Sequence, residues 1–221
     1  MFLHVPPIGW ELGAGLTIAH RSSATSSSST VTGPSDIASG DILVLRDYAS
    51  SSGGAPSTAI PSGFTSLVNH AALNSGGFYE RSILSYKLAD GTEASASLTG
   101  MNGNDENKKV LVVFSAGATT LATGGTGSSG SNGDPSSLAI NASGGTAPLV
   151  VIGGYSSTRV LTVDTMTPTE DGRAAVGTGG DAAVAWKIYN SSPANVTIDM
   201  GDEDSGGANF NVMTGAWIEA T

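Results

Sequence analysis

Apolar residues in this chain gather in short runs, and each run is closed by turn-forming residues such as Gly, Asp or Asn. Ile42-Leu43-Val44-Leu45 follows Gly40-Asp41, the stretch from Ser82 to Leu88 stops at Asp90-Gly91, and Val110 to Phe114 stops at Gly117. Runs of this kind between turn residues predict strands. Ala94-Ser95-Ala96-Ser97-Leu98 alternates small apolar with polar positions, the period of a half-buried strand. Downstream, Leu149 to Ile152, Ala183 to Ile188, Val196 to Ile198 and Val212 to Ile218 continue the style. Nowhere do apolar residues recur at i, i+3, i+4 and i+7 through several turns, the stripe a surface helix needs. The pattern predicts an all-β, antiparallel chain.

The second half of this pattern copies the first, the mark of an internal repeat. A shift of 107 residues carries Val31 to Leu138, Val44 to Val151, Tyr48 to Tyr155 and Ser50 to Ser157. Farther on, a shift of 100 carries Tyr86-Lys87-Leu88 onto Trp186-Lys187-Ile188, and Ala94, Ala96 and Leu98 onto Ala194, Val196 and Ile198. A small sheet standing alone leaves an apolar face uncovered, so the two halves are expected to close over each other. The expected fold is a single antiparallel β-sandwich, jelly-roll-like, built from two pseudo-repeated halves. Its segments are residues 1–25 as an N-terminal arm or first strand, 26–123 as the first half, 124–135 as a Gly/Ser-rich connector and 136–221 as the second half. Tyr86, Leu88, Leu98 and Val112, with partners Trp186, Ile188, Ile198 and Val212, are expected to face the core.

Composition narrows the classes of function. Glycine supplies 31 of 221 residues while charged residues reach only 13%, which suits a turn-rich β protein better than one with charged surface helices. The net charge of −10 repels phosphate backbones and anionic lipid, and the scattered Lys and Arg form no basic stripe, so nucleic-acid binding is not expected. The absence of Cys removes disulfides, thiol chemistry and Cys-ligated zinc together. MFLHVPPIGW lacks a basic n-region and is broken by Pro6 and Pro7, which speaks against a signal peptide. No apolar run approaches the ~20 residues of a spanning helix, so membrane insertion is not expected either.

Catalytic patterns are weak. Gly125 to Gly130 matches G-x-G-x-x-G, but no helix is predicted after it to face a dinucleotide, and the segment reads as a connector. His4, His20 and His70 stand alone without metal-ligand spacing, and no G-x-S-x-G elbow is present. The acidic segments 102–107 and 202–207 offer oxygen ligands that suit Ca²⁺, yet Asn, Asp and Gly are also ordinary turn residues, and the turn is the favoured reading. No catalytic, cofactor-binding or metal-binding residue is assigned, and no enzymatic activity is expected.

Gly40-Asp41-Ile42-Leu43-Val44, Pro61-Ser62-Gly63-Phe64-Thr65, Tyr86-Lys87-Leu88-Ala89-Asp90-Gly91-Thr92-Glu93 and Ser115-Ala116-Gly117-Ala118 together resemble a β-sandwich module recurrent in tailed-bacteriophage virion proteins. The resemblance covers residues 30–118 well and 136–221 loosely, because Ala147-Pro148 and Thr169-Glu170-Asp171 replace the corresponding turns. It implies a non-enzymatic structural protein on the virion exterior, as capsid decoration or as a tail- or fibre-attached subunit. Its expected partners are other virion proteins and further copies of itself. The apolar N-terminal residues Phe2, Leu3, Val5, Ile8 and Trp10 are the expected partner-binding positions. The alternative is a carbohydrate-binding or host-surface adhesin module, with a glycan stacked on exposed aromatics drawn from Trp10, Tyr48, Phe78, Tyr79, Tyr155 and Tyr189.

Overall fold

The computed structural model describes residues 15–73, 77–131, 137–157, 165–176, 182–199 and 211–221. Among them the regular structure is all strand, and every pairing is antiparallel. The first half supplies β1 (Ala19–Ser26), β2 (Thr30–Thr32), β3 (Ile42–Ser51), β4 (Thr65–Leu73), β5 (Tyr79–Leu88), β6 (Ser97–Thr99) and β7 (Glu106–Ser115). The second supplies β8 (Leu121–Ser131), β9 (Leu138–Ile140), β10 (Leu149–Ser157), β11 (Thr165–Thr167), β12 (Gly172–Val176), β13 (Ala182–Tyr189), β14 (Val196–Asp199) and β15 (Asn211–Ala220).

One five-stranded sheet has the order β1-β7-β3-β5-β4, and the other, read from β8, has the order β8-β15-β10-β13-β12. A two-stranded ribbon β2-β6 belongs to the first half and a three-stranded sheet β11-β14-β9 to the second. The large sheets pack face to face through Ile42, Val44, Leu84, Val112 and Phe114 on one side and Val150, Ile152, Val184, Trp186 and Ile218 on the other. β1 lies against β12 and β4 against β8, so each sheet's first strand meets the other sheet's opposite edge. The outward faces are apolar as well. Leu43, Leu45, Leu111 and Val113 pack against Val31 and Leu98 of the ribbon, while Leu149, Val151 and Met213 pack against Leu138, Ile140 and Ile198. β3 and the described part of β10 are therefore buried on both faces, which is why they read as continuous apolar runs rather than alternating ones.

Of the positions expected in the core, Leu98, Val112, Trp186, Ile198 and Val212 are buried, and Tyr86, Leu88 and Ile188 are half-buried against the inter-sheet cluster. Val31 pairs with Leu98 and Leu138 with Ile198, so these two expected correspondences occupy matching rungs. The register over β10 differs from the expected one. Val44 faces the inter-sheet cluster but Val151 faces the outer one. Val44 pairs with Tyr86 and Val112, whereas Ile152, not Val151, pairs with Trp186 and Ala216. A one-residue slip reverses a strand's faces, and a strand apolar on both faces gives no sequence signal against the slip.

Two local expectations also change. Residues 124–131, expected within a connector, belong to β8 and pair with β15. Glycine is required there by packing: a Cβ at Gly124 would lie 2.5 Å from Trp217 Cζ2, and one at Gly125 would lie 2.7 Å from Trp217 Cδ1. In the stretch 94–98 only Ser97 and Leu98 are in a strand; Ala96 N–H bonds Glu93 O at 3.0 Å and Ser95 adopts φ of 57°, closing a turn instead.

Candidate functional site

Phe2, Leu3, Val5, Ile8 and Trp10 lie outside the described residues, as do His4 and the acidic segment 202–207. The described chain begins just ahead of a side-chain clamp. Asn190 Oδ1 accepts the Ile18 N–H at 2.8 Å and Asn190 Nδ2 donates to Ile18 O at 3.1 Å, so an amide stands in for a strand neighbour. In the acidic segment 102–107, Asn107 accepts from Gly103 N at 2.8 Å and donates to Gly103 O at 2.9 Å, while the Asp105 carboxylate accepts the Ser52 N–H. These groups close a turn. Among the described residues no group of three or more His, Cys, Asp and Glu could hold a metal ion, and no helix is long and apolar enough to cross a membrane.

Sequence reasoning missed the buried charges. Arg46, Asp47 and Lys109 are fully buried. Asp47 and Lys109 form an ion pair; Asp47 Oδ2 also accepts the Met101 N–H at 2.7 Å, and Lys109 Nζ donates to Met101 O at 3.1 Å. Gly100 makes room, since a Cβ there would lie 1.9 Å from Asp47 Oδ2. Burial raises the Asp47 pKa to about 6 despite the opposing pull of Lys109, and burial lowers the pKa of Lys109. On the opposite face of β3, Arg46 crosses between the large sheets, donating Nη2 to Val212 O at 2.9 Å and Nη1 to Thr214 Oγ1. Tyr48, Ser50, Glu80 and Ser82 continue this polar end of the inter-sheet layer, all buried. Burial first, then Glu80 and Glu106, push the Tyr48 hydroxyl pKa up. Glu80 is 1% exposed and Tyr48 0%, and Arg46 within this layer ties the two large sheets together. The one legible signal was Arg46-Asp47, charges that follow an unbroken apolar run.

The histidines that fall within the described residues also hold structure. His20 stacks on Trp186 with ring centroids 4.6 Å apart, and His70 Nδ1 lies 3.3 Å from Ser128 Oγ, joining β4 to β8. Burial first, and the Arg46 charge second, hold the His70 pKa below its ordinary 6.5. A folded-state pKa that is lowered means the folded chain binds the proton less readily, so this contribution to stability is lost as pH falls through the unfolded value. His70→Gln keeps a group able to bond Ser128 and removes the titration. The variant is expected to gain stability relative to the parent between about pH 7.5 and about pH 5.5, read from urea midpoints. An unchanged difference between the two pH values counts against this role.

β1 is an edge strand of its sheet. Its sequence, AHRSSATS, is mostly exposed and contains no Pro and no acidic residue. Natural edge strands are commonly guarded by charge against pairing with other chains. Here the only fixed charge, Arg21, is folded back onto buried Asp41, with Nε 2.9 Å from Oδ2 and Nη2 3.1 Å from Oδ1. Asp41 also accepts the Ala38 N–H at 2.8 Å, so it anchors the loop before β3 and the β1 arginine together. What remains along the edge is small and polar: Ser22, Ser23, Ala24, Thr25 and Ser26. A bulge between His20 and Ser22 confines any regular pairing to that part of the strand. Chemically this arrangement offers backbone donors and acceptors to a second strand. Comparison with protein-family models, with curated proteins and with solved structures found no match.

Proposed function

We propose that the chain is a non-enzymatic structural protein of a tailed-phage virion, placed on its exterior as a capsid decoration or a tail- or fibre-attached subunit. In this reading the two halves are copies of one unit, packed together as a single doubled sandwich, and the protein acts by contact with other virion subunits. The observation that carries it is the β1 edge, an outermost, mostly exposed strand whose arginine is held by Asp41. Strand addition of this kind gives affinity through main-chain hydrogen bonds. The sequence turns shared with the virion module support the same reading, and the buried charges are engaged in holding sheets rather than in a cleft.

Purified virions analysed by mass spectrometry are expected to contain the chain in stoichiometric amount. Deleting residues 1–12 is expected to leave the thermal unfolding curve in place and to weaken sedimentation with particles, because the apolar side chains Phe2, Leu3, Val5, Ile8 and Trp10 would add contact area to the interface. Particles that lack the protein overturn the virion reading. A truncated chain that sediments as well as the full one removes the arm from the interface, and degradation of a host-surface glycan by the purified protein overturns the non-enzymatic reading.

A further inference from the structure

Two adjacent aromatics, Phe78 and Tyr79, are each 38% exposed at the start of β5. The alternation of a strand fixes where Tyr79 points. Ile83 belongs to a buried cluster with Ala49 and Met101 on the outer side of the sheet, and Arg81 and Tyr79 share its parity. On β4, Ala71 lies opposite Arg81 and Asn69 opposite Ile83, and both are exposed. The Arg81 guanidinium is fixed there, with Nη1 donating to Asn69 Oδ1 at 3.0 Å. The outer face of this edge hairpin therefore carries an aromatic ring with Leu73 across from it in the register, the small residue Ala71 and a held guanidinium-amide pair.

We infer that this face binds a glycan, with the C–H face of one pyranose on Tyr79 and its hydroxyls bonded to Arg81 and Asn69. A tyrosine gives a large amphipathic surface at low entropic cost, and sugars have matching apolar faces and hydroxyl rims. Successive same-face residues of a strand are about 7 Å apart, which sets Arg81 at the rim of a ring centred on Tyr79. A net charge of −10 disfavours polyanionic nucleic acid as the occupant. This site is distinct from the assembly edge: β1 and β4 are opposite margins of one sheet, about 19 Å apart at the usual strand spacing. The inference goes beyond the virion role and does not depend on it.

The test uses the full-length chain on an array of bacterial capsular, O-antigen and teichoic-acid-linked glycans together with mammalian surface oligosaccharides. The parent is expected to bind at least one pyranose-containing glycan. Tyr79→Ala is expected to weaken that binding about tenfold, Arg81→Lys several-fold, and Tyr79→Phe to retain most of it because the ring remains. Coinciding thermal unfolding curves for the parent and Tyr79→Ala show that the loss is one of contact. Failure of the parent to bind any glycan on the array overturns the proposal, as does equal binding by Tyr79→Ala. Loss of particle sedimentation in β1 variants with glycan binding intact leaves this site standing and separates it from the assembly reading.

Discussion

Replacing Lys109 with Met is expected to destabilise the fold by about 3–5 kcal/mol, because it strands the Asp47 carboxylate in the interior. Asp47 and Lys109 are both fully buried, and Met101 donates to the carboxylate but carries no compensating charge. In a protein of this length that loss lowers the midpoint of thermal unfolding by roughly 10 °C. The pH dependence identifies the cause. Asp47 has a folded-state pKa raised from 3.8 to about 6, so its contribution to stability is complete below 3.8 and is lost as pH rises through about 6. Lys109 holds that folded value down. Without it the value climbs, and the penalty continues to grow at higher pH. The deficit of Lys109→Met relative to the parent is therefore expected to be larger at about pH 8 than at about pH 5, measured by urea unfolding at each. The double variant Asp47→Asn, Lys109→Met keeps an acceptor for the Met101 N–H without a charge and is expected to recover most of the loss. A deficit that is the same at both pH values means that lost packing of the lysine stem, and not the carboxylate, is responsible.

The strands were legible because each is bounded by residues with a local reason to turn. Gly63 adopts φ of 80° and Phe64 N–H bonds Pro61 O at 3.1 Å, so Pro61-Ser62-Gly63-Phe64 is a turn that residue type alone announces. Asp90 Oδ1 accepts the Thr92 N–H at 2.9 Å beside Gly91 at φ of 93°, another turn written in its own residues. These turns define strand ends without defining chemistry. Faces were harder to read. Val150, Val151 and Ile152 are all apolar because β10 is covered on both sides, so only the cross-strand partners reveal which of them matches Val44. The candidate sites were least legible. Neither the salt bridge from Arg21 to Asp41 nor the bond from Arg81 to Asn69 follows from sequence spacing: the first joins β1 to the loop before β3, and the second depends on the register of the β4-β5 hairpin.

Gly124→Ala is expected to destabilise the protein by about 2–3 kcal/mol, in the upper range for overpacking, whereas Gly144→Ala stays within about 0.5 kcal/mol of the parent or gains slightly. The two glycines lie in the same half of the chain and look alike in a Gly- and Ser-rich sequence. Their surroundings differ. A Cβ at Gly124 would sit 2.5 Å from Cζ2 and 2.9 Å from Cε2 of the Trp217 ring, while a Cβ at Gly144 would meet nothing within 4 Å. The indole is held in place, because Nε1 donates to Asn141 O at 3.0 Å. Relief must come from parting β8 from β15, which exposes Trp217. Red-shifted tryptophan emission together with a lowered urea midpoint in Gly124→Ala, and neither change in Gly144→Ala, are the expected results. Equal and small effects at both positions return residues 124–131 to the role of a compliant connector, and the packing account of the glycines in β8 fails with it.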